Sequence, residues 1–393
     1  MSKMERNVRL FYIYIFFIRL DLWFSIIQLF FLDRGFSLTQ YTLAGSVWYL
    51  ANLLSEIPTG AITDRLGKRI SMLISLVSLS LSLFILAFGQ TIYHALLSYV
   101  IWGFSSSFET GTYSAFLYDS LKEEDREEDF RRVIGRVRAV TITAAAVGSL
   151  SAGYLGGIGL DLPILFNAAI PILLCPFLLL FTEPEVSGAS EPSYALHITE
   201  SVRYVSQHKR VAWIILYSSL MSAAVWGLYN FYQPFLYALG VTVEGIGILY
   251  SLFRLTSAAG AYLSDSLYNV IGQTSIYLVP FCLAVSVLCI GAFQTPWIAG
   301  LLFVNFFISG FYVPILSDLF NKNLPPRKRA TIISLSAVLS SLLNATIDPV
   351  LGKIADTFSI QATFWTVGIG LFISMGFIIV MLRNGLRKDL AVV

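Results

Sequence analysis

The sequence predicts an all-α integral membrane protein, with twelve transmembrane helices in two six-helix bundles. Three observations carry that reading. The chain is 56% hydrophobic and 15% aromatic but only 13% charged, whereas a soluble domain carries about a quarter charged residues. Its mean hydropathy is +0.73. Apolar runs of roughly 20 residues, the length that crosses a bilayer, recur from end to end, and Lys and Arg collect in alternate connections. The runs lack the period-two alternation of a lipid-facing barrel, which leaves helices as the spanning element.

Taken in order, the first run is residues 9–32. It is too long for a secretory signal, contains Arg19 and Asp21, and is followed by no small-residue cleavage site. Runs at 40–62, 70–89 and 91–118 follow, then the charged stretch Lys122–Asp129, which reads as a solvated loop rather than a metal site. Runs at 136–157 and 161–182 complete the first six. The second six are 210–238, 243–263, 274–293, 295–319, 330–351 and 360–382. Between the sets lies the longest polar stretch, so the expected organisation is a first bundle at 1–182, a cytoplasmic linker at 183–209 and a second bundle at 210–393. Leu196, Val202 and Val205, with Arg203 and Lys209 among them, predict an amphipathic surface helix in that linker. Gly260-Ala-Tyr-Leu-Ser-Asp265 after the eighth run echoes Gly60-Ala-Ile-Thr-Asp64 after the second. Parallel six-helix repeats around a central cavity are a common transporter layout.

With the N-terminus inside, 22 of the 26 basic residues fall on the cytoplasmic side. Only Arg34 and Lys353 lie opposite, while Arg19 and Arg254 fall within spans. Both termini are therefore expected in the cytoplasm. The net charge of +2 gives no reason to expect a nucleic-acid partner. Cys175, Cys282 and Cys289 lie in apolar runs and read as packing residues. His94, His197 and His208 sit at span ends or in the linker, and no nucleophile–base set is visible at mid-membrane, so an enzyme is not expected. No G-x-x-x-x-G-K-S/T loop is present, and no cofactor or metal is implied.

The connection Gly60-Ala-Ile-Thr-Asp64-Arg65-Leu-Gly67-Lys68-Arg69 joins two apolar runs. Gly60 and Gly67 suit a tight turn, Asp64 suits a helix N-terminus, and Arg65, Lys68 and Arg69 suit membrane-lipid phosphates. Its spacing resembles the loop 2-3 signature of the major facilitator superfamily, G-x-x-x-D-R/K-x-G-x-R/K, at every defined position. Glu56-Ile-Pro-Thr-Gly60, Gly111 through Asp119, and Leu324-Pro-Pro-Arg-Lys-Arg329-Ala-Thr look like a prokaryotic, drug-exporter-like branch of it.

The resemblance implies the major facilitator fold, a monomer and a small-molecule substrate. It also implies a cytoplasmic gate of Glu56, Gly60, Asp64, Arg65, Gly67, Arg69, Asp119 and Arg136. In that gate Asp64 would dock near Arg329 to Thr331, and Asp119 would pair with a basic residue such as Arg136. Two features depart from the proton-coupled exporters. Tyr99 stands where their fourth span carries Arg before Gly103, and Gly156-Gly157 replaces their fifth-span Gly-Pro.

Charges within a bilayer are costly and face a cavity or a partner. Arg19 and Asp21, two positions and about 200° apart on a continuous helix, would face opposite ways. Asp21 would continue into the polar stripe Ser25 and Gln28. By resemblance, spans one, four, seven and ten line the cavity. Their stripes are Trp102, Ser106, Glu109 and Tyr113 in span four, Trp226, Asn230, Gln233 and Tyr237 in span seven, and Asn305, Ser309 and Tyr312 in span ten. Aromatic walls with few carboxylates suit a bulky amphipathic ligand.

A carboxyl taken out of water exchanges its proton closer to neutrality, so Asp21 and Glu109 are the expected proton couplers. Arg254 is expected to pair with Asp348. The function expected is proton-coupled export of hydrophobic or amphipathic compounds by alternating access. The alternatives are symport uptake of a sugar, nucleoside or organic anion, or a non-transporting receptor or lipid-handling protein on the same scaffold.

Overall fold

A computed structural model describes residues 2–109, 111–184, 203–324 and 326–389. Among these residues every regular element is helical. By internal contacts the chain groups into two compact units: Met1–Gly188 with Gly240–Arg254, and Ala189–Leu239 with Leu255–Val393.

The first unit contains α1 (Lys3–Ile18), α2 (Ile27–Asp33), α3 (Leu38–Leu66), α4 (Lys68–Phe88), α5 (Ile92–Glu109), α6 (Thr112–Lys122), α7 (Phe130–Ile158) and α8 (Asp161–Phe177). Water supplies no drive to associate between apolar helices in lipid, so close contact has to come from small residues and interhelical hydrogen bonds. Both are present. Gly103 of α5 lies so close to α3 that an added Cβ would come within 2.8 Å of the Trp48 carbonyl and the Ala51 methyl. Serines tie α4 to α5: Ser105 Oγ donates to the Ser75 carbonyl at 2.8 Å, and Ser82 Oγ to the Ser98 carbonyl at 2.9 Å. Ser80 Oγ reaches the Ala168 carbonyl of α8 at 2.6 Å. Gly153 of α7 packs backbone to backbone on Gly247, which is why the segment Gly240–Arg254 belongs with this unit.

Arg34, one of the two basic residues expected on the outer side, has a structural task. Arg34 donates to the carbonyls of Ala87 and Gly89 at 2.7 and 2.6 Å, satisfying the end of α4, and reaches Asp161 at the start of α8 at 2.6 Å. Those last carbonyls of a helix have no partner of their own and favour a cation.

The second unit is built from α9 (Lys209–Ala238), α10 (Val243–Ile271, from Leu255 onward), α11 (Ser275–Ala292), α12 (Gly300–Asn323), α13 (Pro326–Thr357) and α14 (Ile360–Asp389). It uses the same devices. Gly260 of α10 lies on the Phe307 carbonyl of α12, and Gly310 of α12 on the Ser257 carbonyl of α10. Ser218 of α9 and Ser336 of α13 share a hydrogen bond at 2.7 Å. Tyr204 and Val205 pack against a small core of Val211, Ile214, Ile215, Phe320, Leu324 and Ile332. Residues 203–207 are helical; Leu196, Val202 and His197 of the expected linker lie outside the described residues. Cys175, Cys282 and Cys289 are free thiols.

Eight stretches of the described residues are long and apolar enough to cross a membrane, and one of them, Val243–Ala292, holds two of the expected spans. The expected spans not among them are the first, the second and the fourth. The first and fourth are each broken into two helices, α1 with α2 and α5 with α6. The second, α3, carries Glu56, Pro58, Asp64 and Arg65.

Candidate functional site

Two helix breaks meet in the first unit. α1 stops at Ile18, and residues Arg19 to Ile26 run as turns before α2 begins. Nothing in Arg19-Leu-Asp-Leu-Trp-Phe-Ser-Ile26 is a glycine or proline, so neighbouring helices impose the break. The Leu22 amide donates to Asn167 Oδ1 of α8 at 2.9 Å, and Ser25 Oγ to Ser149 Oγ of α7 at 2.8 Å. The Leu20 carbonyl sits where a Cβ on Gly148 would stand. Asp21 takes a positive φ of 47°, which a non-glycine residue adopts at a cost. The second break follows Glu109, the last residue of α5; the chain turns at Gly111, with φ 82°, and resumes as α6.

The two breaks are joined by charge. Arg19 Nη2 contacts Glu109 Oε2 at 2.6 Å. The guanidinium stands 5.8 Å from the Tyr113 ring centroid, and the hydroxyls of Tyr113 and Tyr14 share a hydrogen bond at 2.8 Å. A cavity of about 410 Å³ opens here, lined by Arg19, Asp21, Tyr113, Ser114 and Thr141 with apolar walls that include Phe11. Arg254, in the segment of α10 that belongs to this unit, lies 5.5 Å from the Phe24 ring centroid.

α1 and α5 both end at this site, so their exposed carbonyls favour positive charge. Discontinuous helices whose ends face a ligand are how secondary transporters build ion and substrate sites. The site sets a carboxylate–guanidinium pair beside a cavity that also holds a second carboxyl and an aromatic wall.

The break corrects one expectation. Arg19 and Asp21 were placed on opposite faces of a continuous helix; with the helix ended at Ile18, both line one cavity. Other expected cavity residues of this unit are engaged in packing. Ser25 is bonded to Ser149, and Gln28 Nε2 donates to the Tyr41 hydroxyl at 2.9 Å. Trp102 sits in an aromatic cluster, 4.7 Å from Trp23 and 4.9 Å from Trp48, and Ser106 accepts from Trp48 Nε1 at 3.3 Å.

In the second unit, Asn230 Nδ2 donates to Asp348 Oδ2 at 3.0 Å. Asp348 thus has a neutral amide as its partner within this unit; Arg254, the partner expected from the sequence, belongs to the first unit. Asn305 donates to the Tyr232 hydroxyl at 3.1 Å, and Ser309 shares a 3.2 Å hydrogen bond with Ser257. Gln233 and Tyr312 are buried, while Trp226 and Tyr237 are exposed.

The motif around Gly67 differs in detail from its sequence reading. α3 continues through Gly60 and Asp64 to Leu66, so the turn is Gly67 alone, with φ 87° and ψ 165°. Asp64 and Arg65 are exposed in the last turn of α3 instead of opening the next helix. The carboxylate at the start of α4 is Glu183, which accepts from the Lys68 and Arg69 amides at 2.6 and 2.8 Å. Gly67 serves both ends: its backbone conformation is closed to other residues, and a Cβ there would come within 2.9 Å of Glu183. Asp119 pairs with Lys68 at 2.5 Å, and Arg136 is exposed elsewhere on α7. Lys68 is nearer to α6 because it opens α4, directly after the turn. Glu56 is half-buried on α3.

The model of the Major Facilitator Superfamily matches residues 11–347. The chain belongs to that superfamily. It is a multi-pass membrane transporter and not an enzyme. Among its relatives is the uncharacterized MFS-type transporter YxaM of Bacillus subtilis, 25% identical over 356 residues that cover 88% of each chain. Another is the multidrug resistance protein MdtG of Citrobacter koseri, 23% identical over 339 residues, 84% of this chain and 82% of the relative. A crystal structure of the nucleoside transporter NupG superposes with a TM-score of 0.76 over 98% of this chain and 99% of that one, at 17% identity. At that identity the superposition speaks for the shared superfamily fold alone.

Sequence reasoning missed Tyr14 and Glu183, and reads Lys68 as a lipid contact where the structure pairs it with Asp119. Lys68 and Glu183 carried a signal, a charge next to a turn glycine and a carboxylate at a span end. Tyr14 carried none, since one tyrosine in an aromatic helix does not declare its partner.

Proposed function

We propose that this transporter exports hydrophobic or amphipathic compounds, with a cationic group favoured, in exchange for protons. The observation that carries the reading is the Arg19–Glu109 pair at the two helix breaks, with Asp21 on the same cavity. Asp21 carries the proton. Glu109 is held by Arg19 until a cationic substrate group competes for it, and an aromatic wall at Tyr113 receives the rest of the ligand. Release of Glu109 frees the ends of α1 and α5 to move against each other, which couples binding to alternating access. The relative MdtG, a multidrug resistance protein, supports export. The basic residues of the connections support both termini in the cytoplasm; the plasma membrane and a monomeric state are what membership of the superfamily implies.

Asp64 and Arg69 belong to the cytoplasmic gate in this reading, with Glu183 and Lys68–Asp119 fixing the turn that presents them. The test is proton movement in proteoliposomes on adding a lipophilic cation such as tetraphenylphosphonium. Wild type is expected to move protons, and Asp21→Asn to bind the cation without moving them. Equal proton flux in both would overturn the assignment.

A further inference from the structure

A second carboxyl is buried within the second unit. Asp348 of α13 is 2% exposed, and its one partner among the described residues is Asn230 of α9. That hydrogen bond occupies Oδ2. The other oxygen, Oδ1, is fully buried without a hydrogen-bond partner. It faces Gly227, where a Cβ would come within 3.1 Å of it. One turn earlier on the same helix, Asn344 is also 2% exposed, and its Oδ1 is likewise buried without a donor. Residues at i and i+4 on a helix have Cβ atoms about 5–6 Å apart. Two acceptor oxygens therefore stand one turn apart on one helix, and neither has a donor.

Among the described residues of the second unit, no charged side chain is paired with Asp348. α9, α12 and α14 pack against α13. On α9 the charges are Lys209 and Arg210, in its first turn, and the titratable groups nearer Asp348 are Tyr229 and Tyr232. On α12 they are Tyr312 and the pair Asp318–Lys322, joined to each other at 2.6 Å. α14 carries no charged residue before Arg383. On α13 itself, Arg327, Lys328 and Arg329 lie in the first turn, and Lys353 and Asp356 are exposed.

We propose that Asp348 is a proton-binding site of the second unit, occupied at Oδ1 and hydrogen-bonded through that proton to the side chain of Asn344. An ionised carboxylate with no countercharge is strongly disfavoured away from water. One proton removes the charge and turns Oδ1 from an acceptor into a donor, so that both orphaned oxygens are satisfied by a single bond. A metal cation fits less well, because the Asn230 amide presents its N–H hydrogens to the carboxyl. The small space left by Gly227 admits the carboxyl and little more. This site is independent of Asp21 and Glu109, and it neither needs nor excludes their role in coupling.

The test is infrared spectroscopy of the full-length protein in lipid vesicles, reading the carbonyl stretch of protonated carboxyl groups. Asp348→Asn keeps an acceptor for Asn230 and is expected to lose the intensity of one protonated carboxyl. Asn344→Leu leaves Asp348 in place and is expected to move that band to higher frequency, since its hydroxyl loses its acceptor. Unchanged carboxyl intensity in Asp348→Asn, or an unmoved band in Asn344→Leu, would overturn the proposal. So would loss of the wild-type band when sodium chloride replaces choline chloride at fixed pH, which would make the ligand a metal cation. The readout requires no transport, so its failure is distinct from a failure of the export reading.

Discussion

Glu109 and Asp348 are both carboxyls withdrawn into helix-packed interiors, one in each unit, and they are handled in opposite ways. Glu109 ends a helix and is met at 2.6 Å by the guanidinium of Arg19, which itself lines a cavity. Asp348 lies inside a continuous helix, is sealed from solvent and is met by a neutral amide at 3.0 Å. The difference shows what a membrane protein can do with an acid. Where it is kept charged, the fold supplies an opposite charge and a way for ligands to reach the pair. Where it is enclosed without a charge, the fold supplies hydrogen-bonding groups suited to the neutral form.

The sharpest way to break the comparison is to remove the cation. Arg19→Gln leaves Glu109 facing two helix C-termini with no countercharge. Loss of one partner of a buried pair costs about 3–5 kcal/mol, and the lower end applies because a third of the Arg19 side chain is exposed. A large drop in the melting temperature of the purified protein is expected. The double variant Arg19→Gln with Glu109→Gln should recover most of it, since no buried charge is left alone.

The matching change in the second unit is Asn230→Leu. It takes away one neutral donor, with an expected cost of about 1–3 kcal/mol for the acceptor left behind. Its effect should be smaller than that of Arg19→Gln in the same melting experiment. If the two rank the other way, Asp348 is charged in the folded protein and the contrast is void.

A third carboxylate calibrates the scale. Glu183 accepts two backbone amides at the start of α4, where the helix end attracts negative charge. Glu183→Gln should cost about 0.3–1 kcal/mol, the smallest effect of the set, and should be the one most reduced by added salt.

The sequence made the number and placing of the helices legible because length and hydropathy decide them. The turn at Gly67 was legible too, since only glycine tolerates its φ of 87°. The break in the first span was not. Its residues carry no helix breaker, and the break is held by Asn167, Gly148 and Ser149, more than a hundred residues away. Once the break is known, the candidate site follows, because Arg19 and Asp21 then line one cavity. The fourth-span break did carry a signal in Gly111, with φ 82°. Side-chain partners were the least legible part. Asp119 takes Lys68 because α3 runs past its expected end to Leu66 and α4 opens at Lys68, while Asp348 takes Asn230 through the packing of α9 on α13.

The most direct measurement is proton flux in proteoliposomes, with an imposed pH gradient and tetraphenylphosphonium as the driving ligand, compared across wild type, Asp21→Asn and Glu109→Gln. Proton movement in wild type that is lost in Asp21→Asn, with Glu109→Gln losing cation-triggered flux, is the predicted result. Undiminished flux in both variants would contradict the assignment of coupling to the paired helix breaks.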